Sequence, residues 1–238
     1  MADLKQLREK CIKSAKQAVK ESVSRDLLIV QAVNSIEELA TASNMLVNRL
    51  REWYGFYNPE FVKETYSNEE FVSKLASAKK QKGSMGADLE KQDLKIIIDL
   101  SKQVDSLHKL KEELTGYIDK AMQEVCPNLN AVAGSFIGAK LLSFAGSLKN
   151  LSGMTSSTVQ MLGAEKALFR HLHGQGKSPK HGILVNHELV KGVPFKEKGK
   201  AARAIADKIA IASKVDYFKG KFVGDKLRAD LNKRFKND

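Results

Sequence analysis

The sequence predicts an all-α chain: a long antiparallel helical coiled-coil arm followed by a compact helical domain. Two long stretches carry apolar residues at steps of four and three, one ending at Pro59 and the other at Pro127. Strand-like alternation is nearly absent. After Pro127 the composition shifts to shorter helical patterns separated by Gly, Ser and Ala.

Residues 2–22 form a charged helical pattern with Leu4, Leu7, Cys11, Ala15 and Ala18 on one side. Ser24-Arg25-Asp26 then supplies a capping residue for the first rod. Its seam runs Ile29, Val33, Ile36, Ala40, Ser43, Val47, Leu50, Tyr54, Tyr57, and Asn58-Pro59 ends it. At helical rise, residues 25–57 span roughly 50 Å. Residues 60–86 read as a connector with a short helix near 68–72 and a flexible KKQKGSMG. In the second rod Ile97, Val104, Lys111, Ile118 and Val125 occupy one seam position. Leu100, Leu107, Leu114 and Ala121 occupy the other. Neither rod buries much alone, so the two are expected to pair. A dimer of two such hairpins is compatible with these seams, with Ile97, Leu100, Val104, Leu107, Leu114 and Ile118 as its contacts, although heptads alone do not fix the number of partners.

Beyond Pro127 the expected helices are 128–146, 156–162, 164–172, 199–216 and 225–235, the last ending in Lys233, Arg234 and Lys236. Residues 173–182 read as loop and 183–190 as an extended piece or single turn. The chain divides into a self-association arm, 1–126, and a compact domain, 127–238.

The net charge is +12. Residues 1–126 hold 20 basic and 20 acidic residues, whereas 127–238 hold 20 basic and 8 acidic, so the whole excess sits in the second part. Such a surface suits a polyanion, nucleic acid foremost. The two cysteines, Cys11 and Cys126, give neither a disulfide framework nor a metal spacing and are expected as free thiols. No apolar run reaches the roughly 18 residues of a membrane span, and MADLKQLREK has no signal-peptide core. A soluble intracellular protein is expected.

Functional content concentrates in residues 160–182, QMLGAEKALFRHLHGQGKSPKHG. Gly176-Lys177-Ser178 imitates the end of a phosphate loop, but His171 stands where that motif needs glycine and Pro179 blocks the helix that should follow. His171, His173, His181 and His187 lack neighbouring cysteines, and the first two point to different helix faces, against a metal site. No nucleophile–base pattern stands out, and no cofactor or catalytic residue is expected. Lys166 and Arg170, four apart, share one helix face, with Ala164, Leu168 and Leu172 expected to hold the helix to the domain. Lys177, Lys180 and His181 follow on the loop, and Lys200, Arg203 and Lys208 on the next long helix. Lys and Arg neutralise phosphates, and Arg or His can stack on a splayed base. The alternative is a coiled-coil assembly protein whose basic module docks an acidic protein surface.

GAEKALFRHL at 163–172, PKHG at 179–182 and KGKAARAIADKIAIASKVDYF at 198–218 resemble the Nop-domain family. The likeness is strongest to the archaeal core scaffold of box C/D RNA-guided methylation particles. SVSRDLLIVQAVNSIEEL and LREWYG resemble that family's coiled coil. The resemblance implies a non-enzymatic scaffold that binds box C/D guide RNA at a kink-turn, together with a small ribosomal-protein-like partner, for site-specific 2'-O-methylation of RNA. It implies RNA contact by Gly163, Glu165, Lys166 and Arg170, by Lys180 and His181 on the closing loop, and by Lys200 and Arg203, to which the basic pattern of the loop adds Lys177. Gln160, Met161 and Leu162 are the expected contacts with the small partner. The family's fibrillarin methyltransferase docks on a separate N-terminal domain, which nothing in this chain resembles, so fibrillarin binding is expected only were that domain present. The chain stops at NKRFKND, without the lysine-rich tail of eukaryotic relatives, which favours an archaeal, cytoplasmic protein over a nucleolar one.

Overall fold

The computed structural model describes residues 2–80 and 83–235. Gln81 and Lys82 of the expected flexible stretch, and Lys236, lie outside the described residues. All regular elements among the described residues are helical, and none of these helices is long and apolar enough to cross a membrane. The chain forms two compact units, Asn34–Tyr117 and Met1–Val33 with Ile118–Asp238. This differs from a boundary at residue 126.

In the unit Asn34–Tyr117, α2 (Arg25–Gly55) and α5 (Lys91–Val125) run antiparallel. Ser43 Oγ lies 2.6 Å from His108 Nε2, and further along the Ala87 N–H donates to the Phe56 carbonyl. Val47, Leu50, Tyr54, Ile97 and Val104 pack with Phe71, Val72 and Leu75 of α4 (Asn68–Leu75). Ile97 and Val104 are 0% exposed, consumed by the core of the single chain, and so present nothing to a second copy. That corrects two of the expected dimerisation contacts. Leu100, Leu107 and Leu114 are half-buried.

The connector is more ordered than expected. Pro59 does not merely end α2; it is the first residue of α3 (Pro59–Glu64), where a missing N–H costs nothing. Asn58 Oδ1 caps that helix through the Phe61 N–H. The Arg51 guanidinium donates to the carbonyls of Val62, Thr65, Tyr66 and Ser67 and to Asn68 Oδ1, and lies 4.5 Å over the Phe71 ring. The Glu60 carboxylate accepts from Ser84 Oγ and the Met85 N–H, and Lys80 pairs with Asp88 at 2.7 Å, so the segment after residue 83 is pinned.

The second unit is centred on α12 (Lys198–Tyr217), which packs against α6 (Pro127–Ala133), α8 (Leu148–Gly153), α9 (Ser156–Met161) and α13 (Gly224–Phe235). Its inner face is Ala201, Ala202, Ile205, Ala206, Ile209 and Ala212; the alanines let neighbouring helices approach closely. Its buried Asp216 accepts the N–H groups of Asn128 and Leu129 and the Asn128 amide, capping α6. The helix expected over 128–146 breaks at Gly134 (φ 79°) into α6 and α7 (Ser135–Ala145). Residues flanking Pro127 belong here too: the Asp26 carboxylate accepts the Leu148 N–H, Ile118 is 1% exposed, and Met122 packs against Gly138. Ile118 is thus withdrawn from any dimer seam as well. In contrast, α1 (Ala2–Ser22) is exposed along 4–22, including Leu4 and Leu7. Cys11 is an exposed free thiol; Cys126 is a buried one, held protonated by burial and by the nearby carboxylates of Asp216 and Asp26.

Candidate nucleic-acid interface

The surface is built on α10 (Glu165–Leu172). Gly163 sits at φ 79°, and a β-carbon there would meet Ile183 and Phe144 at 3.2 Å, so this position favours glycine. The Glu165 carboxylate folds back to accept the Gly163 N–H at 2.7 Å, satisfying a donor ahead of the helix and placing an anion at its positive end. Lys166 and Arg170 are both exposed, and neither joins an ion pair among the described residues.

No residue of α10 is fully buried. Leu168 is half-buried, but Leu172 is 72% exposed, so the expected Leu168–Leu172 anchor fails at its second member. Phe169, 63% exposed, stacks instead on the His173 ring at 4.1 Å. It forms, with Glu165, Lys166 and Arg170, a shallow apolar hollow flanked by the two cations. Sequence reasoning missed it because the Leu168–Leu172 spacing pointed the inward face elsewhere.

The loop folds back on the helix end. The Gln175 N–H donates to the Arg170 carbonyl at 2.8 Å, and His171 Nδ1 lies 2.9 Å from the Gly176 carbonyl. Next, Gln160 Nε2 donates to the Lys180 carbonyl at 2.6 Å and the Ile183 N–H to the Leu162 carbonyl at 2.8 Å. Gly182 is indispensable here: a β-carbon would lie 2.2 Å from the Leu162 carbonyl oxygen. The stem of Lys180 runs beside Gly199, next to Lys200 at the start of α12. The end of α9, the PKHG loop and the start of α12 therefore meet around Lys180.

Other expected site residues are placed as follows. Lys177 and Lys200 are exposed, and His181 is half-buried ahead of a 3-10 turn, Gly182–Asn186. Arg203 is exposed and 3.7 Å from Asp207. Of the expected partner contacts, Gln160 and Met161 are half-buried, but the Leu162 side chain is buried in its own unit and unavailable to another protein. His187, the most buried histidine, caps α11 (Glu188–Lys191): Nδ1 accepts the Leu189 N–H and Nε2 donates to the Val132 carbonyl. Burial lowers its pKa below the ordinary 6.5, which keeps the ring neutral. Among the described residues no three His, Cys, Asp or Glu side chains gather as metal ligands would.

Comparison with known proteins matches residues 72–237 to a family described as "Nop: snoRNA binding domain, fibrillarin". The chain is 40% identical to an uncharacterised NOP5 family protein of Methanocaldococcus jannaschii, an alignment covering 96% of this chain and 59% of that protein. It is 37% identical to Nucleolar protein 56 of Mus musculus, covering 91% of this chain and 43% of that one. The chain thus spans about half the length of these relatives. Its fold is similar to that of a chain from the crystal structure of a fibrillarin/Nop5p complex, with TM-score 0.60, 24% identity and coverage of 98% and 77% of the two chains. With the family's model matching residues 72–237 and a NOP5 family relative 40% identical over nearly all of it, the chain belongs to the Nop family.

Proposed function

We propose that this chain is an RNA-binding scaffold of a box C/D guide ribonucleoprotein, without catalytic activity of its own, serving site-specific 2'-O-methylation of RNA. It binds a kink-turn RNA jointly with a small ribosomal-protein-like partner and self-associates through its helical arm. Fibrillarin, named in the family description and in the complex whose fold is similar, is the methyltransferase such a scaffold would serve. In an archaeal cell it works in the cytoplasm; a eukaryotic counterpart works in the nucleolus.

One observation carries the reading. Lys166 and Arg170 project, unpaired, from a helix with no fully buried residue, and the backbone beside them is locked by Gly163, Gly182 and the Gln160–Lys180 bond. Cations left free on a rigid support suit a phosphate backbone. Gln160 and Met161, half-buried beside this surface, remain the proposed contacts for the small partner.

The test is electrophoretic or filter binding of a kink-turn RNA with and without the small kink-turn protein. Tight binding should require both. Lys166→Ala with Arg170→Ala should weaken it and lower the salt slope by about two units or slightly less, about 0.9 per lost duplex phosphate contact. Unchanged affinity and slope in the double variant would remove α10 from the interface.

A further inference from the structure

The segment from Lys214 to Gly224, at the end of α12, has a construction that the α10 surface does not explain. The helix closes in a Schellman motif: the Gly220 N–H donates to the Val215 carbonyl at 2.8 Å and the Lys219 N–H to the Asp216 carbonyl at 3.2 Å. That motif needs one left-handed residue, almost always glycine. Here it is Lys219, at φ 52°, the sole described non-glycine residue with positive φ, although Gly220 follows directly. A side chain kept where its β-carbon is strained points to a use for that side chain.

The surroundings indicate the use. Phe218 is 75% exposed and Phe222 52% exposed, beside a partly exposed Tyr217 whose ring meets Phe218 edge-on at 5.0 Å. Lys219 and Lys221 alternate with these rings and are exposed. The platform is rigid: the Phe222 ring rests against Gly224, and the Val223 N–H donates to Asn128 Oδ1 at 2.7 Å. Tyr217 and Lys219 also line a groove of about 780 Å³ together with Lys149, its carboxylates being Glu124, paired with Arg25, and Asp26, which accepts the Leu148 N–H, besides Asp216. The carboxylate inside this stretch, Asp216, is buried and committed to α6. Exposed rings interleaved with lysines bind single-stranded nucleic acid: each ring stacks a base of any identity, and each ammonium neutralises a phosphate. An acidic protein surface would use the lysines but give the rings no stacking partner.

We propose that Tyr217, Phe218 and Phe222 with Lys219 and Lys221 form a second RNA site, which holds an unpaired segment of the RNA by base stacking. The proposal rests on the reading above only for the class of ligand. A paired stem would go to α10 and the PKHG loop, and a single strand to the end of α12.

The test is fluorescence anisotropy of the full chain with labelled dodecauridylate, which forms no stem. Phe218→Ala and Phe222→Ala should each weaken binding roughly tenfold with the salt slope unchanged. Lys219→Gly should also weaken it and lower the slope by about 0.7, while its melting temperature holds or rises, because glycine adopts this backbone without strain. A merely structural Lys219 could not give that opposition. Unchanged oligouridylate affinity in Phe218→Ala and Lys219→Gly overturns the proposal. So does equal displacement by oligoglutamate of the same charge, which would mean that the surface reads charge alone. The Lys166→Ala, Arg170→Ala pair separates the two sites: it should impair kink-turn RNA binding far more than oligouridylate binding. Failure of the unsubstituted chain to recognise kink-turn RNA with the small partner, with the α12 results intact, would sink the scaffold reading and leave this site standing.

Discussion

Asp216 and His187 are buried because each completes backbone that nothing else reaches. Asp216 accepts both N–H groups at the start of α6, a helix whose own cap position, Cys126, offers no side-chain bond. His187 caps α11 through one nitrogen and satisfies the Val132 carbonyl through the other. This works only for the neutral ring with its proton on Nε2; a second proton on Nδ1 would remove the cap. Because burial lowers the folded pKa below 6.5, the unfolded chain takes up a proton near 6.5 that the folded chain refuses. Stability from this residue is therefore full above pH 6.5 and is lost as pH falls through the folded pKa. The carboxylates whose pKa is lowered by hydrogen bonds or ion pairs, Glu60, Asp88 and Asp230, act in the same direction but only below their ordinary values of 4.5 and 3.8. Thermal melts between pH 7 and 5 should thus show a falling melting temperature, flattened in His187→Asn, which keeps a capping side chain but cannot titrate. An equal slope in the variant would assign the effect to another histidine.

Among the elements, Arg51 shows how one side chain organises a segment. Helices as short as α3 and α4 have little stability alone. The fork of Arg51 collects five acceptors from residues 62–68 and covers Phe71, so the connector is fastened to α2 by one residue. Arg51→Lys keeps the charge but loses the fork. It should cost roughly 1–3 kcal/mol and release amide-exchange protection first in residues 59–75. If protection were lost uniformly, Arg51 would be no local fastener. The same element marks the limits of sequence reading. The long helices were legible because their seam residues lie in phase for many turns and Pro59 and Pro127 mark their ends. The connector was not, because its order comes from a residue eleven to seventeen positions away. Apolar spacing ran unbroken across Gly134 and hid the break there, since periodicity does not register a positive φ. At the candidate interface, the shared face of Lys166 and Arg170 was readable from their spacing, whereas Gly163 was singled out only through the family resemblance. The Gln160–Lys180 clamp and the exposure of Leu172 depend on tertiary packing, which spacing does not encode.

For the whole molecule, the heptads pair α5 with α2 inside one chain, and the proposed self-association needs a different set of residues. Ile97 and Val104 are spent in pairing α5 with α2, so the proposed self-association would have to use what the Asn34–Tyr117 unit leaves open. Leu110 is 43% exposed and lies with half-buried Leu114 on a shallow groove lined by Ser35, Leu39 and Ala42. The two kinds of substitution therefore diverge. Leu110→Asp with Leu114→Asp should halve the mass seen by light scattering, leave the helical signal intact and retain the RNA affinity of a single module, because the basic excess lies in residues 127–238. Val104→Asp places a charge in a fully buried site and should unfold the unit before any question of assembly arises. A dimeric Leu110→Asp, Leu114→Asp variant of normal helicity would move the self-association surface off this groove, and the exposed Leu4 and Leu7 of α1 would be the next residues to substitute.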